Sequence, residues 1–151
     1  MQPAIREYQP SDFETLWKID QVCFVRGISY TRRELAFYIA RKRGFTLVAE
    51  RGEQIIGFVV VEYDRQGQGH IITIDIVPEG RRAGLGSRLM AAAEDRLRSF
   101  GCSVVILETA VDNAAAIAFY KRYGYSVIHT IPRYYLNSLD ALVLSKDLTT
   151  Q

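Results

Sequence analysis

Apolar residues along this chain switch between helical and strand spacing, and the switches mark its elements. An extended Ala4–Tyr8 leads into Ser11-Asp12-Phe13-Glu14, whose Ser-x-x-Glu spacing is that of a capping box at a helix start. Phe13, Leu16, Trp17, Cys23 and Phe24 follow at helical spacing and predict one apolar face. Thr31-Arg32-Arg33-Glu34 repeats the capping-box pattern, opening a second helix with Leu35, Tyr38 and Ile39 inward. That helix runs into Arg41-Lys42-Arg43 and Gly44; cations complement a helix C-terminus, which accounts for the triplet without a phosphate.

The period then shortens. Phe45–Glu50 and Gln54–Tyr63 flank a hairpin turn at Arg51-Gly52-Glu53, and Arg65-Gln66-Gly67-Gln68-Gly69 turns the chain into a β-branched strand, Ile71–Val77. From there strand and helix alternate. Helix Leu85–Phe100 puts Leu89, Met90, Ala93 and Leu97 on one face and stops at Gly101. Ser103–Glu108 is a continuous apolar run of the kind found in interior strands. A helix from Ala114 to about Tyr123 stops at Gly124, and strands Tyr125–Ile131 and Ala141–Lys146 close the order. The pattern predicts an α+β architecture on a mixed sheet, antiparallel first with a βαβ-like centre.

Composition narrows the function. The 151 residues suit a single domain, residues 1–151, with enough core to fold without staples. A net charge of +2 is too small for a dedicated nucleic-acid or polybasic membrane binder, despite Arg32-Arg33, Arg41-Lys42-Arg43 and Arg81-Arg82. The longest apolar run, near Ile55–Val61, is far short of the ~20 residues that span a bilayer. The start lacks the apolar stretch of a signal peptide, so a cytoplasmic protein is expected. Cys23 and Cys102 fit no metal or redox spacing and read as free buried thiols. His70 and His129 stand in no ligand pattern, so no metal is expected and both are assigned structural hydrogen bonding.

Two segments carry candidate chemistry. In Ile76-Val77-Pro78-Glu79-Gly80-Arg81-Arg82-Ala83-Gly84-Leu85-Gly86-Ser87 a strand ends, two arginines and spaced glycines follow, and a helix begins. Glycines admit a close backbone approach, and a helix N-terminus offers free N–H groups and a positive dipole end, together a pyrophosphate cradle. Leu89 where a third glycine belongs excludes the nicotinamide-type loop, and no Gly-Lys-Ser/Thr makes a Walker loop. The same residues would serve equally as a glycine-rich turn with solvated arginines. The second segment runs from Leu107 to Tyr120. Glu108 ends an apolar strand, where desolvation would raise its pKa toward that of a general base; the plainer reading is a strand-end charge. Asn113 suits a helix N-cap, and Tyr120 falls on the inner face of the helix, where a phenol either packs or donates a proton.

The order of these pieces resembles the GNAT superfamily of acetyl-CoA-dependent N-acetyltransferases: R-x-x-G-x-G from Arg81 to Gly86, a helix, an apolar strand ending in Glu108, then Asn113 and Tyr120. Leu107-Glu108, Asn113-Ala114-Ala115-Ala116-Ile117-Ala118, Tyr120 and Tyr123-Gly124-Tyr125 are similar to the RimI branch, which acetylates protein N-termini. Gly69-His70-Ile71, Tyr134-Tyr135 and Asp140-Ala141 extend the likeness over roughly Ala4 to Leu148. The resemblance implies a mostly antiparallel sheet of about seven strands with about four helices on both faces.

It also implies roles. Backbone from Arg81 and Arg82 through Ala83, Gly84, Leu85, Gly86 and Ser87 would hold the pyrophosphate of acetyl-CoA, Ile76 and Val77 would pair with its pantetheine arm, and Asn113 would lie near the thiol. Glu108 would take a proton from the amine through water and Tyr120 would return one to the thiolate, with the Val77 amide facing the oxyanion. Phe24, Ile28, Tyr30, Tyr134 and Tyr135 would line the acceptor groove. The implied acceptor is a protein or peptide N-terminus, a ribosomal protein among the candidates, and the implied enzyme is a monomer or weak dimer. A lysine or small-molecule amine is the alternative acceptor. The loops Phe24–Tyr30 and Leu136-Asn137-Ser138-Leu139 depart from the family pattern, and both departures fall on the acceptor side.

Overall fold

A computed structural model describes residues 2–81 and 83–149. Its elements follow the predicted order: β1 (Ala4–Glu7), α1 (Phe13–Cys23), α2 (Arg32–Ile39), β2 (Gly44–Arg51), β3 (Gln54–Tyr63), β4 (Gln68–Ile76), α3 (Leu85–Ser99), β5 (Val104–Ala110), α4 (Ala114–Arg122), β6 (Ser126–Ile131) and β7 (Ala141–Asp147). The seven strands form one sheet in the order β1-β2-β3-β4-β5-β7-β6. Every neighbouring pair is antiparallel except β4 and β5, which the α3 crossover makes parallel.

Both faces of the central strands are covered, and residue parity shows how. On β3, Phe58 and Val60 pack with Leu16, Ile19 and Leu35 of α1 and α2. Val59 and Val61 face the other way, into the cluster of Leu85, Leu89, Met90, Ala93 and Leu97 from α3. Two-sided burial explains why this strand reads as a continuous apolar run.

The entrances to the first two helices differ. Thr31 and Glu34 make the expected reciprocal cap on α2, with the Glu34 N–H donating to Thr31 Oγ1 and the Thr31 N–H to Glu34 Oε1. The Ser11/Glu14 box does not form. Pro10 starts a 3₁₀ turn, Pro10–Asp12, in which Asp12 Oδ2 accepts the Gln9 N–H at 2.8 Å, and Glu14 pairs instead with Arg32. Asp12 is also the partner of Arg6, which ties the turn to β1. At the far end, Phe24 leaves the helix in extended conformation, so α1 stops at Cys23.

The decisive feature is an opening in the sheet. β4 and β5 pair only at Gln68↔Val104, Gly69↔Val105 and His70↔Ile106. Beyond these, β4 continues to Ile76 and β5 to Ala110 without a shared ladder, so the strands splay. Glu108, expected at a strand end, lies inside β5 on one wall of this opening.

Candidate active site

The opening has two differently built sides. On one, β4 runs through Val77 into a turn and then α3. Val77 donates its N–H to Ile56 O of β3 at 3.0 Å, so the amide expected to face an oxyanion is already committed. Alternate residues of an antiparallel strand direct both backbone groups to the same side, which turns those of Ile76 toward the opening. Its carbonyl there accepts from Arg81 Nε at 3.0 Å and Cys23 Sγ at 3.3 Å. The pairing edge is therefore that of Ile76, one residue before the expected donor.

Gly84 caps α3 in the left-handed region, φ +77°, where a side chain is strained. A Cβ on Gly86 would meet Ile76 Cδ1 and Phe119 Cζ at 3.3 Å each, so this glycine lets the first turn of α3 lie against β4 and α4. Leu85 is buried beneath the turn, Ala83 is exposed, and Ser87 O accepts the Tyr123 hydroxyl at 3.3 Å. Arg82, assigned to the same cradle, lies outside the described residues. Asn113 Oδ1 accepts the Ala116 N–H at 3.2 Å, making it the N-cap of α4. Glycine freedom, an open helix N-terminus and an exposed strand edge make this side fit a pyrophosphate and an extended amide chain.

The other side is assembled from distant segments. Glu108 Oε1 lies 2.7 Å from His70 Nε2, and His70 Nδ1 lies 3.6 Å from Glu62 Oε1. Burial alone would lower the His70 pKa, but the hydrogen bond to Glu108 and the charges of Glu108 and Glu62 outweigh it and hold the imidazole above its usual 6.5. Sequence reading assigned His70 no more than a structural hydrogen bond and passed over Glu62. Counting outward from the Arg65–Gly67 turn pairs Tyr63 with Gly69 and then Glu62 with His70, so that contact was open to prediction. The His70–Glu108 contact needs the parallel register across α3 and had no local signal.

Tyrosines surround this trio. Tyr30 sits against Tyr38 edge-to-face at 5.5 Å, and Tyr134 against Tyr135 at 4.9 Å. Burial, and after it neighbouring groups including Glu108, raise the pKa of all four phenols, Tyr134 to about 12. The Tyr30 hydroxyl donates to Ile72 O at 3.3 Å. Phe24 and Ile28 are half-buried in the same loop. The Leu136 N–H donates to Gly27 O at 3.1 Å, so the loop after α1 and the loop between β6 and β7 meet backbone to backbone. Tyr120 is buried on α4 between Phe119 and Tyr125, and burial first, then Asp75 and Tyr135, raise its pKa and keep the phenol protonated. Cys102 is buried and Cys23 half-buried; both are free thiols, and burial pushes Cys23 up to about 11. His129 stands exposed on β6.

Residues 11–125 match the model of the Acetyltransferase (GNAT) family. This chain belongs to that family. It is 34% identical over 116 residues to "N-alpha-acetyltransferase 30" of Schizosaccharomyces pombe, covering 74% of this chain and 77% of the relative. The Ard1 structure from Thermoplasma volcanium superposes with a TM-score of 0.89 at 28% identity, covering 97% of this chain and 98% of the other. The ribosomal-protein-S18-alanine N-acetyltransferase of Escherichia coli shares the fold, with a TM-score of 0.86 at 20% identity over 99% and 96% of the two chains. Among the described residues, no helix of this GNAT protein is long and apolar enough to cross a membrane.

Proposed function

We propose that this GNAT enzyme transfers the acetyl group of acetyl-CoA to the N-terminal α-amine of a protein or peptide, with residues 1–151 acting as one catalytic domain. The observation that carries the reading is the carboxylate of Glu108 hydrogen-bonded to His70 in the mouth of the splayed strands, with a phenol of raised pKa, Tyr120, on the neighbouring helix. The names of its relatives point the same way. Acetyl-CoA supplies an activated thioester. The chain's own residues do the rest.

Backbone at residues 81 and 83–87 and the dipole end of α3 hold the pyrophosphate, and Ile76 offers its edge to the pantetheine arm, where a ligand amide competes with Arg81 and Cys23 for the carbonyl. Asn113 keeps α4 in place with its Oδ1 and has its amide nitrogen for the thiol end. Glu108 takes a proton from the incoming amine through water, and His70 orients that carboxylate. The Ile76 N–H, rather than that of Val77, faces the developing oxyanion. Tyr120 donates its proton to the departing thiolate. An α-amine with a pKa near 8 is more easily deprotonated at neutral pH than a lysine near 10.4, which suits a carboxylate base.

The acceptor enters between the two joined loops, over Phe24, Ile28, Tyr30, Tyr134 and Tyr135. Ribosomal proteins are candidate acceptors, the setting is cytoplasmic, and the enzyme works as a monomer or weak dimer. Peptides with free or blocked N-termini, with and without an internal lysine, test this when incubated with acetyl-CoA and mapped by mass spectrometry. Acetyl confined to free N-termini is expected; acetyl on lysine or only on small amines overturns the acceptor assignment.

A further inference from the structure

Two buried carboxyl groups take no part in this chemistry. Asp20 of α1 and Asp75 of β4 are 0% and 1% exposed. Other buried carboxylates in this protein meet cations: Glu94 has Lys146 Nζ at 2.9 Å and the Tyr125 hydroxyl at 2.8 Å, and Asp12 has Arg6. The aspartates differ. Asp20 Oδ2 accepts the Tyr30 N–H at 2.7 Å, and Asp75 Oδ1 accepts the Thr73 hydroxyl. Asp20 Oδ1 and Asp75 Oδ2 accept no hydrogen bond among the described residues, and the two carboxyls lie near enough to shift one another's titration. Two carboxylates have no hydrogen to donate, so buried oxygens left without a donor in this way are satisfied when one proton lies between them.

The surrounding groups do not supply another solution. Glu34 of α2 adds negative potential at Asp20, and Cys23 of α1, Tyr30 of the loop and Tyr120 of α4 are neutral when protonated. Arg81 is the cation that Asp75 feels, and its exposed guanidinium is spent on Ile76 O and Cys23. Burial, with Asp20 adding to it, holds Asp75 well above the usual carboxylate range.

We propose that Asp20 and Asp75 share a single proton, carried by Asp75, and that this acid pair is the positioning device that fixes the acceptor loop to the central strand. Asp75 donates to Asp20, and the charge left on Asp20 holds the Tyr30 amide. Trp17 Nε1 and Gln21 Nε2 hold the Tyr30 carbonyl at 3.1 and 2.7 Å, and Ile72 O takes its hydroxyl. The Tyr30 ring is thereby set beside Glu108. Removing the proton would place two like charges in the core and loosen α1 and the loop from β4. The acceptor role of the loop rests on the function proposed above; the proton and the latch do not.

Carboxyl-carbon NMR of the full chain with labelled aspartate reads the proton directly. One aspartate is expected to remain protonated near pH 7, and its signal to be missing in Asp75→Asn. Hydrogen exchange reads the latch. Asp75→Asn, whose amide can donate to Asp20 without an added proton, keeps the Tyr30 amide protected; Asp20→Ala loses about tenfold or more of that protection, and Asp20→Asn restores part of it. In turnover assays Asp20→Ala raises KM for the acceptor peptide about tenfold and leaves KM for acetyl-CoA unchanged. As pH rises above neutral, the wild-type acceptor KM climbs while that of Asp75→Asn stays flat. Both aspartates ionised near pH 7, or unchanged Tyr30 exchange in Asp20→Ala, overturns the proposal. If no peptide is acetylated, the function fails, and the NMR and exchange results still decide the acid pair.

Discussion

The two sides of the splayed strands are built by opposite means. The proposed coenzyme side comes from one stretch of sequence, Ile76 to Ser87, plus the cap of α4. Its parts are backbone: a strand edge, a left-handed Gly84 and a helix N-terminus. The proposed acceptor side draws Glu62, His70 and Glu108 from three strands and Tyr30, Tyr134 and Tyr135 from two loops more than a hundred residues apart in sequence. Its parts are side chains whose properties come from one another. A backbone site is held by local geometry and tolerates changes at its rim, whereas a side-chain site depends on the register of every strand that contributes.

The largest effect expected from breaking one side alone is at the base. Glu108→Gln lowers kcat by roughly 10²-fold or more, with KM for acetyl-CoA unchanged. Tyr120→Phe is expected to lower kcat by about tenfold to 10²-fold, measured by release of free coenzyme thiol. Equal loss of coenzyme affinity in either variant would mean that the two sides are not separable.

His70 sharpens the contrast through pH. Its pKa is raised, so the stability gained from the imidazolium between Glu108 and Glu62 is complete below about 6.5 and disappears as pH rises through the raised value. Activity runs the other way: kcat/KM rises over that window as the proton leaves the pair. His70→Gln is expected to remove this acid limb and to lower kcat about tenfold. A pH–rate profile that keeps the limb in the variant would assign it to another group.

Smaller effects separate the sides by KM. Gly84→Ala places a side chain at φ +77° and is expected to cost about 1–2 kcal/mol, read as a higher KM for acetyl-CoA alone. Gly27→Ala combines φ +96° with a Cβ 2.9 Å from the Asn137 nitrogen, so it pushes the two acceptor loops apart. A similar cost of about 1–2 kcal/mol should appear in KM for the peptide instead. A crossed result, with Gly27 affecting the coenzyme, would dissolve the division.

Most of the fold was legible in the sequence because its signals are short-range. The Gln54–Tyr63 strand and the Thr31/Glu34 cap occur as the pattern predicts, and the boundaries of α3 and α4 fall within a residue of it. The Ser11/Glu14 cap failed because Pro10 and Asp12 offered the entering chain a tighter turn with its own hydrogen bonds. The glycine-bearing turn before α3 could be found for the same local reason, although the amide turned toward the opening shifts from the expected Val77 to Ile76. That shift depends on which strand backbone faces β3, and only pairing decides it.

The sequence by itself determined the order of elements and the glycine-bearing helix start, since each is a matter of neighbours within a few residues. Tertiary structure alone decided that β4 and β5 part after His70, that His70 meets Glu108, that the two loops touch at Gly27 and Leu136, and that Asp20 lies against Asp75. Those contacts join positions between 38 and 109 residues apart, and their energies come from burial and charge that no single segment possesses.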